Sequence, residues 1–296
     1  MYKTHPIQYI TPLIVPQQRF TDISGRPCAF LETNPSIHID SKTGDTTILV
    51  RCVDYRKFAD KSFTLYQRQS NSIYYVGRTK IKPYDYLTDA DIEFKSVNVD
   101  YDLPKYPTYW TGPEDIRFLD SADSIIATIP ECNERGQPAI FKATLRGNTI
   151  SKCIPLKPNE GPEKNWMPFN SQVIYSLDPL TIKSVEHNDC KVIGTYPELK
   201  QYHGSSNGIS FKDKYLFLVH VNKDRTYHRW ILYNPVDNSL QISEEFIFFR
   251  NSYIEFTCSL AHAFDRIFVS CGVNDDKAFI LELSALDILS FFRSTY

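Results

Sequence analysis

Two adjacent carboxylates and an arginine open a hydrophobic run in the segment Glu114-Asp115-Ile116-Arg117. Neighbouring residues of a β-strand point to opposite sides, so one of Glu114 and Asp115 would face a ligand and the other a supporting partner. Arg117 would share the face of Asp115. A carboxylate beside an arginine stays ionised unless burial raises its pKa. The segment therefore predicts a functional acidic site or, as the alternative, a solvent-exposed strand entry held by a salt bridge.

Two further places in the chain offer groups that could bind a sugar. In the pair Asn165-Trp166, the amide both donates and accepts hydrogen bonds and the indole provides a flat apolar face. The alternative is a buried tryptophan beside a turn-forming asparagine. Glu255 and Asp275 lie in or after strand-like runs, where burial of an unpaired carboxylate is costly. Each is therefore a candidate to bind hydroxyl groups, or else forms an ion pair with an arginine.

A donor-rich set of side chains surrounds the strand-like run Tyr215–Val219. Together these side chains could hold a phosphate or a nucleotide diphosphate; the alternative is a solvated hairpin tip. Their spacing does not match a compact zinc site. The chain also contains no nucleophile elbow, Walker loop or dinucleotide fingerprint, so we expect neither a metal nor a cofactor. The predicted phosphate-binding residues are His203, His220, Tyr227, His228 and Arg229.

The composition restricts the class of protein that carries these groups. The chain has 296 residues, of which 42% are hydrophobic and 14% aromatic, with nineteen Tyr and nineteen Phe. Such a chain can bury a sizeable core and favours strands over helices. The net charge of -2 and the absence of long Lys/Arg runs argue against nucleic acid as a partner. The chain shows no signal peptide or membrane span, and its seven Cys are scattered. These features predict a soluble, cytoplasmic protein.

The elements that must position these groups are short strands bounded by polar turns, which is typical of an all-β sandwich, barrel or propeller. A repeated unit favours the propeller, with later intervals of about 40 to 50 residues, a normal blade length. We therefore predict a single five-bladed β-propeller domain over residues 1–296, with a lead-in segment at 1–30 and a C-terminal helix and tail at 284–296. Lys82–Trp110 is expected to cross one face of the propeller as an excursion. The predicted units begin near Asn34, Asp115, Asn165, Ser206 and Glu255.

In their order, these segments resemble the five-bladed β-propeller glycosidase-like superfamily. The resemblance spans about residues 30 to 285 and is strongest to the β-mannoside phosphorylases and the related β-1,2-mannosyltransferase/phosphorylases. The family carries Glu-Asp-Pro-Arg where this chain has Ile116 in place of proline. The matching segments are Asn34-Pro35, Val50-Arg51, Glu114 to Arg117, Lys164-Asn165, His220 with Tyr227 and Arg229, Glu255, and Gly272-Val273-Asn274-Asp275.

The resemblance implies an inverting reaction on β-mannosides or similar glycans, with Asp115 as the general acid. Phosphate would attack the anomeric carbon and would be held by residues such as Arg51, His220, Tyr227 and Arg229. In the reverse direction a sugar 1-phosphate or nucleotide sugar would donate to an acceptor hydroxyl. The implied partners are an oligosaccharide or glycan acceptor and inorganic phosphate or a sugar phosphate. The implied substrate-binding residues are Asn34, Arg51, Arg117, Asn165, Trp166, Glu255 and Asp275.

Two other functions fit the same fold. An inverting hydrolase would need a second carboxylate to activate water, and Glu255 or Asp275 would be the candidate. A glycan-binding propeller without catalysis would bind sugar and would not depend on Asp115. Fold alone does not choose among the three.

Overall fold

The structure is a computed structural model that describes residues 2–60, 62–156, 161–187 and 189–292. Five small, mainly antiparallel sheets are arranged as the blades of a β-propeller, which confirms the predicted fold. The inner strands of the blades contact one another around a central channel. No helix in the described part of the chain is long and apolar enough to cross a membrane.

Each blade is a meander of strands that runs from the channel outwards. Blade 1 contains Leu31–Ile39, Asp45–Val53, Ser70–Lys80 and Glu93–Ser96, with Trp110–Thr111 added alongside Ser70. Blade 2 contains Glu114–Ser121, Ser124–Thr128, Ile140–Arg146 and Thr149–Pro155, with Asn98–Val99 at its edge. Blade 3 contains Met167–Phe169, Gln172–Leu177, Leu180–Ser184 and Cys190–Gly194. Blade 4 contains His203–Gly204, Ile209–Phe211, Lys214–Asn222, Thr226–Asn234 and Ser239–Ile242. Blade 5 contains Glu255–Ala263, Arg266–Val273, Lys277–Ser284 and Tyr9–Pro12.

The remaining described elements connect the blades. Two short hairpins pair Arg19–Thr21 with Pro27–Ala29 and Tyr55–Lys57 with Phe63–Leu65. Single 3-10 turns span Asp89–Asp91, Pro130–Cys132 and Pro197–Leu199. One α-helix covers Ala285–Leu289, and the side chain of Ser284 accepts hydrogen bonds from the backbone N–H groups of Leu286 and Asp287. Ser284 is therefore the N-cap of this helix, which lies at the start of the predicted C-terminal helix and tail.

The hydrophobic core is divided among the five gaps between neighbouring blades. Ile37 of blade 1 packs with Phe268 of blade 5 in one such cluster, and Leu49 packs with Ile116 of blade 2 in another. Because neighbouring blades cover both faces of the inner strands, strands such as Asp45–Val53 and Lys214–Asn222 are buried on both sides along most of their length. The gap between blades 2 and 3 holds the smallest cluster, with Trp166 at its centre.

Two predicted connecting segments are in fact parts of blades. Tyr9–Pro12, within the predicted lead-in, pairs with the strand Lys277–Ser284 and so joins both ends of the described chain in blade 5. Within the predicted excursion, Glu93–Ser96 pairs with the third strand of blade 1, and Asn98–Val99 pairs with Thr149–Ile150 in blade 2. Both segments supply hydrogen bonds to strands that would otherwise be free edges.

The inner strands of blades 1, 2 and 5 are irregular near the same end of the channel. Register shifts occur between Thr33 and Ser36, between Glu114 and Arg117, and between Phe256 and Ser259. Such a bulge re-aims side chains that regular alternation would place elsewhere. Asn34 and Asp115 lie in these shifts with φ of 37° and 48°, a region that Asn and Asp tolerate better than most residues. We call this the site end of the channel.

Candidate active site

The carboxylate of Asp115 is held at the site end by two donors from blade 1. Asn34 Nδ2 donates to Asp115 Oδ1 at 2.8 Å, and Arg51 Nη1 donates to the same oxygen at 3.1 Å. Arg51 Nη2 also contacts Glu114 Oε1 at 3.1 Å, and its Nε donates to Ser72 Oγ at 2.9 Å. One buried guanidinium thus binds both members of the predicted carboxylate pair and ties blade 1 to blade 2.

The environments of Glu114 and Asp115 shift their pKa values in opposite directions. Burial alone raises the pKa of Asp115, but Arg51, Arg117 and the hydrogen bond from Asn34 outweigh it and leave the pKa lowered. For Glu114, burial is the dominant cause and its pKa is raised, even though Arg51 acts against it. Asp115 is therefore ionised at neutral pH and can accept a proton, whereas burial disfavours the charged form of Glu114.

Asp275 approaches the same cluster from blade 5. Thr33 Oγ1 donates to Asp275 Oδ1 at 3.3 Å and to Asn34 Oδ1 at 2.9 Å, and Lys57 Nζ lies 3.8 Å from Asp275 Oδ2. Burial raises the pKa of Asp275; Lys57 and Arg51 lower it, and the charge of Asp115 adds to the rise. The structure therefore brings Asn34, Arg51, Asp115 and Asp275 together.

Arg117 contacts the backbone of this cluster and is almost fully buried. Its Nη1 donates to the backbone carbonyl of Asp115 at 3.0 Å, and its Nε donates to the carbonyl of Ser205 in blade 4. The guanidinium lies 5.7 Å from the ring centre of Phe256 in blade 5. Arg117 thus holds the backbone of Asp115 in its left-handed conformation. The bulge between Glu114 and Arg117 replaces the regular alternation that was expected from the sequence.

Blade 3 contributes Asn165 and the neighbouring Lys164. Asn165 has φ of 65°, and its carbonyl oxygen would lie 2.1 Å from a Cβ added to Gly204 of blade 4. Lys164 and Asn165 line a cleft of about 300 Å³ between blades 3 and 4, together with His203. The charge of Lys164 lowers the pKa of both Glu114 and Asp115, which shows that it lies within electrostatic reach of the cluster. Sequence reasoning did not single out Lys164 as a site residue, although it directly precedes Asn165 in the Lys-Asn pair.

Trp166 does not offer a ring face to a sugar in this structure. It is 1% exposed, and its Nε1 donates to Glu163 Oε2 at 3.0 Å. Lys183 Nζ lies 4.7 Å from the indole centre. The indole therefore fills the gap between blades 2 and 3, which was the alternative interpretation of the Asn165-Trp166 pair.

The predicted phosphate-binding set is divided between two faces of blade 4. His220 is directly opposite His228 on the neighbouring strand, and both face blade 5. Tyr227 and Arg229 alternate with His228 and therefore face the other way. Tyr227 donates to Asp224 Oδ1 at 3.0 Å, and Arg229 Nε donates to the hydroxyl of Tyr202 at 2.7 Å. These residues do not form one phosphate site.

His203 lines the cleft, and His220 lies next to it on the face of blade 4 that is turned to blade 5. Their rings lie 5.7 Å apart, and Ser205 Oγ is 2.6 Å from Nδ1 of His220. Burial lowers the pKa of His203, and Lys164 lowers it further. For His220, burial is again the largest cause of a lowered pKa, followed by the other histidines and Arg117. Both rings are therefore neutral at neutral pH and act as hydrogen-bonding groups.

Glu255 is fully buried and its two oxygens are occupied by protein donors. His228 Nε2 lies 3.2 Å from Oε2 and Arg225 Nη2 lies 3.3 Å from Oε1. The backbone N–H groups of Phe248 and Phe249 donate at 2.9 and 3.0 Å, and the Ser252 hydroxyl donates as well. The ion pair with an arginine, the alternative to hydroxyl binding, is thus what the structure contains, and it ties blade 4 to blade 5.

Gly272 packs closely against Asn34. A Cβ added to Gly272 would lie 2.5 Å from Asn34 Oδ1 and 2.6 Å from the backbone nitrogen of Asn34. We expect Gly272→Ala to displace Asn34 from Asp115, to lower the free energy of unfolding by about 1–3 kcal/mol and to reduce activity. Thermal unfolding and kinetics measure the two effects. Gly161→Ala is the control, since its Cβ meets nothing within 4 Å. Equal behaviour of the two variants would contradict this packing.

Comparison with solved structures supports the fold described above. The β-1,2-mannobiose phosphorylase from Listeria innocua, solved with β-1,2-mannobiose, is 16% identical, with a TM-score of 0.58 over 96% of both chains. A structure from the family of mannoside phosphorylases that contains glycoside hydrolases targeting β-1,2-mannosidic linkages in Candida mannan is 12% identical, with a TM-score of 0.57 over 97% of this chain and 95% of that one. An α-L-arabinofuranosidase from Podospora anserina is 13% identical, with a TM-score of 0.50 over 96% and 98%.

No protein-family model matches this chain, and no curated protein matches it by sequence. At these identities the structural likeness establishes the fold. The chain is a five-bladed β-propeller, as its sequence predicted.

Proposed function

We propose that the protein is an inverting glycoside phosphorylase or glycosyltransferase that acts on β-mannosides or similar glycans. The observation that carries the proposal is the carboxylate of Asp115, which Asn34 and Arg51 hold at the site end of the channel and whose pKa is lowered. The propeller enzymes with a similar fold, among them a β-1,2-mannobiose phosphorylase, point to the same substrate class.

In the synthetic direction Asp115 would act as the base. Its carboxylate takes the proton of an acceptor hydroxyl while that oxygen attacks the anomeric carbon of a sugar 1-phosphate, and phosphate leaves with the electrons of the broken C–O bond. In phosphorolysis the same proton returns to the leaving glycosidic oxygen as phosphate attacks. Because phosphate carries its own negative charge, this reaction needs one acid/base carboxylate. In this proposal Asn34 and Asp275 hold sugar hydroxyls.

A hydrolase on the same site is the second candidate, and Asp275 is the observation that favours it. Water as the nucleophile needs a second carboxylate as base. Glu255 is saturated by protein donors, whereas the pKa of Asp275 is raised, chiefly by burial, towards the range in which a general base is efficient. Product analysis with and without inorganic phosphate separates the two reactions, since a hydrolase releases free sugar in either case.

The test of the proposal uses the purified protein with mannose 1-phosphate or GDP-mannose as donor. Mannose and N-acetylglucosamine serve as acceptors, and β-1,2-mannobiose with phosphate tests the reverse reaction. We expect a β-linked product with inverted configuration and release of phosphate from mannose 1-phosphate. Failure to turn over any of these donors or the disaccharide would contradict an enzymatic function on mannosides.

Lys164 supplies a specific prediction for phosphate binding, because it lines the cleft between blades 3 and 4 and its charge lowers the pKa of Asp115. We expect Lys164→Met to raise the KM for phosphate about tenfold, the effect of losing one charge-assisted hydrogen bond. Lys200→Met is the matched control, since Lys200 lines the same cleft. An unchanged KM for phosphate in Lys164→Met would place the phosphate elsewhere.

A further inference from the structure

A short hairpin stands over the site end and presents one face towards it. Tyr55–Lys57 and Phe63–Leu65 pair antiparallel, with Lys57 directly opposite Phe63. Residues opposite each other share a face, and so do residues two apart on one strand, so Tyr55, Lys57 and Phe63 lie on the same side of the hairpin. The hairpin follows the strand Asp45–Val53, which ends at the site end beside Arg51.

That face is joined to the cluster of carboxylates. Lys57 Nζ lies 3.8 Å from Asp275 Oδ2. Burial is the main reason that the pKa of Tyr55 is raised; Arg51 lowers it, and the charges of Asp275, Glu114 and Asp115 raise it further. The hydroxyl of Tyr55 therefore lies within electrostatic reach of all three carboxylates. The face of the hairpin is continuous with the candidate active site.

Trp110 extends this face with a second aromatic surface. Its ring centre lies 5.7 Å from that of Tyr55 and 6.2 Å from that of Phe63. The strand Trp110–Thr111 pairs with the start of Ser70–Lys80 and leads directly to Glu114. Phe63 is 54% exposed at the outer edge. We call Tyr55, Phe63 and Trp110 the aromatic platform.

We infer that the aromatic platform is a glycan-binding subsite, which holds sugar units of an oligosaccharide beyond the unit that lies at Asp115. The inference rests on the proposed function for its choice of ligand. The C–H faces of a pyranose stack on aromatic rings, and a nearby cation and carboxylate, here Lys57 and Asp275, bind the hydroxyls at its edge. This surface begins at Asp275 and ends at the exposed side chain of Phe63. An oligosaccharide that leaves the channel along the hairpin would lie on it.

The test compares ligands of two lengths. Dissociation constants of β-1,2-mannobiose and β-1,2-mannotetraose are measured by calorimetry in phosphate-free buffer for the native protein, Phe63→Ala and Phe63→Tyr. We expect Phe63→Ala to weaken mannotetraose binding about 3- to 10-fold, the range for loss of one aromatic contact. Mannobiose binding is expected to stay unchanged, and Phe63→Tyr is expected to bind both ligands like the native protein.

Tyr84→Ala is the matched control. Tyr84 is 95% exposed and follows the strand Ser70–Lys80, whose end at Lys80 pairs with Asp45 at the opposite end of the channel. Its loss should affect neither ligand. Equal weakening of both lengths by Phe63→Ala, no weakening of either, or no binding of mannotetraose to the native protein would each overturn the inference.

The inference and the proposed function fail in different ways. Length-dependent binding at Phe63 without turnover of mannose 1-phosphate, GDP-mannose or mannobiose would support the subsite and refute the enzyme. Turnover of mannobiose with no dependence of mannotetraose binding on Phe63 would support the enzyme and refute the subsite.

Discussion

Asp115→Asn is expected to lower kcat/KM by about 10²- to 10⁴-fold, the usual contribution of a general acid–base group. The amide keeps the shape of the carboxylate but neither takes the proton of an acceptor hydroxyl nor returns it to a leaving group. Arg51 keeps its contact with Glu114 in the variant, so the protein should remain folded. Circular dichroism and initial rates with mannose 1-phosphate, or with mannobiose and phosphate, measure the two properties.

Asp120→Asn is the control for this prediction. Asp120 lies on the same inner strand, Glu114–Ser121, near its opposite end, where it accepts hydrogen bonds from Ser171. Its replacement removes one carboxylate from the strand without touching the cluster at the site end, so full activity is expected. If Asp115→Asn retained native turnover, the acid–base role would be refuted. If the native protein bound oligosaccharide without turnover and Asp115→Asn bound it equally well, a glycan-binding propeller would be the better description.

Glu255→Gln is expected to lower the free energy of unfolding by about 3–5 kcal/mol at neutral pH, the cost of breaking a buried ion pair by removing one partner. The change removes the negative charge while it keeps the volume of the side chain. Arg225 then loses its ionic partner, and one of the oxygens that accept from Phe248 and Phe249 becomes a donor. Urea unfolding monitored by circular dichroism gives the difference.

The pH dependence of this effect follows from the pKa of Glu255. Burial alone raises that pKa, but the hydrogen bonds from His228, Ser252 and the N–H of Phe248 outweigh it and leave the pKa lowered in the folded protein. A lowered folded pKa contributes stability that is fully present above the unfolded pKa, about 4.3 for Glu, and is lost as the pH falls through the folded value. The stability difference between the native protein and Glu255→Gln should therefore narrow in acid.

Glu198→Gln, at an exposed carboxylate, is the control and should leave stability within about 0.5 kcal/mol of the native value. A Glu255→Gln variant that was as stable as the native protein but failed to bind glycan would contradict the structural role. It would restore the substrate-binding role that the resemblance implied for Glu255.

Local sequence pattern was sufficient for the strands and for the number of blades. The predicted strand-like run Tyr215–Val219 lies within the strand Lys214–Asn222. β-branched and aromatic residues between polar turns encode such hairpins over a few residues. The order of the repeated units was sufficient to predict the propeller, because each predicted unit begins at or beside the first strand of a blade.

Side-chain direction at the site depended on features that the pattern does not contain. The bulge between Glu114 and Arg117 breaks the alternation from which the facing residues were predicted. The partners of the charged groups are also remote: Arg51 meets Asp115 64 residues later, and Arg225 meets Glu255 30 residues later. Two carboxylates that look equivalent in the sequence, Glu255 and Asp275, thus have different surroundings.

The amino-acid sequence by itself determined an all-β propeller of five blades and the chemical types of its candidate residues, since strand propensity and turn chemistry act over a few neighbouring positions. The tertiary structure decided which of those residues meet. It placed Asn34, Arg51, Asp115 and Asp275 at one end of the channel, buried Trp166 and Glu255 between blades, and divided the predicted phosphate-binding set between two faces of blade 4. The physical reason is that burial and ion pairing depend on contacts between blades, which strand periodicity does not specify.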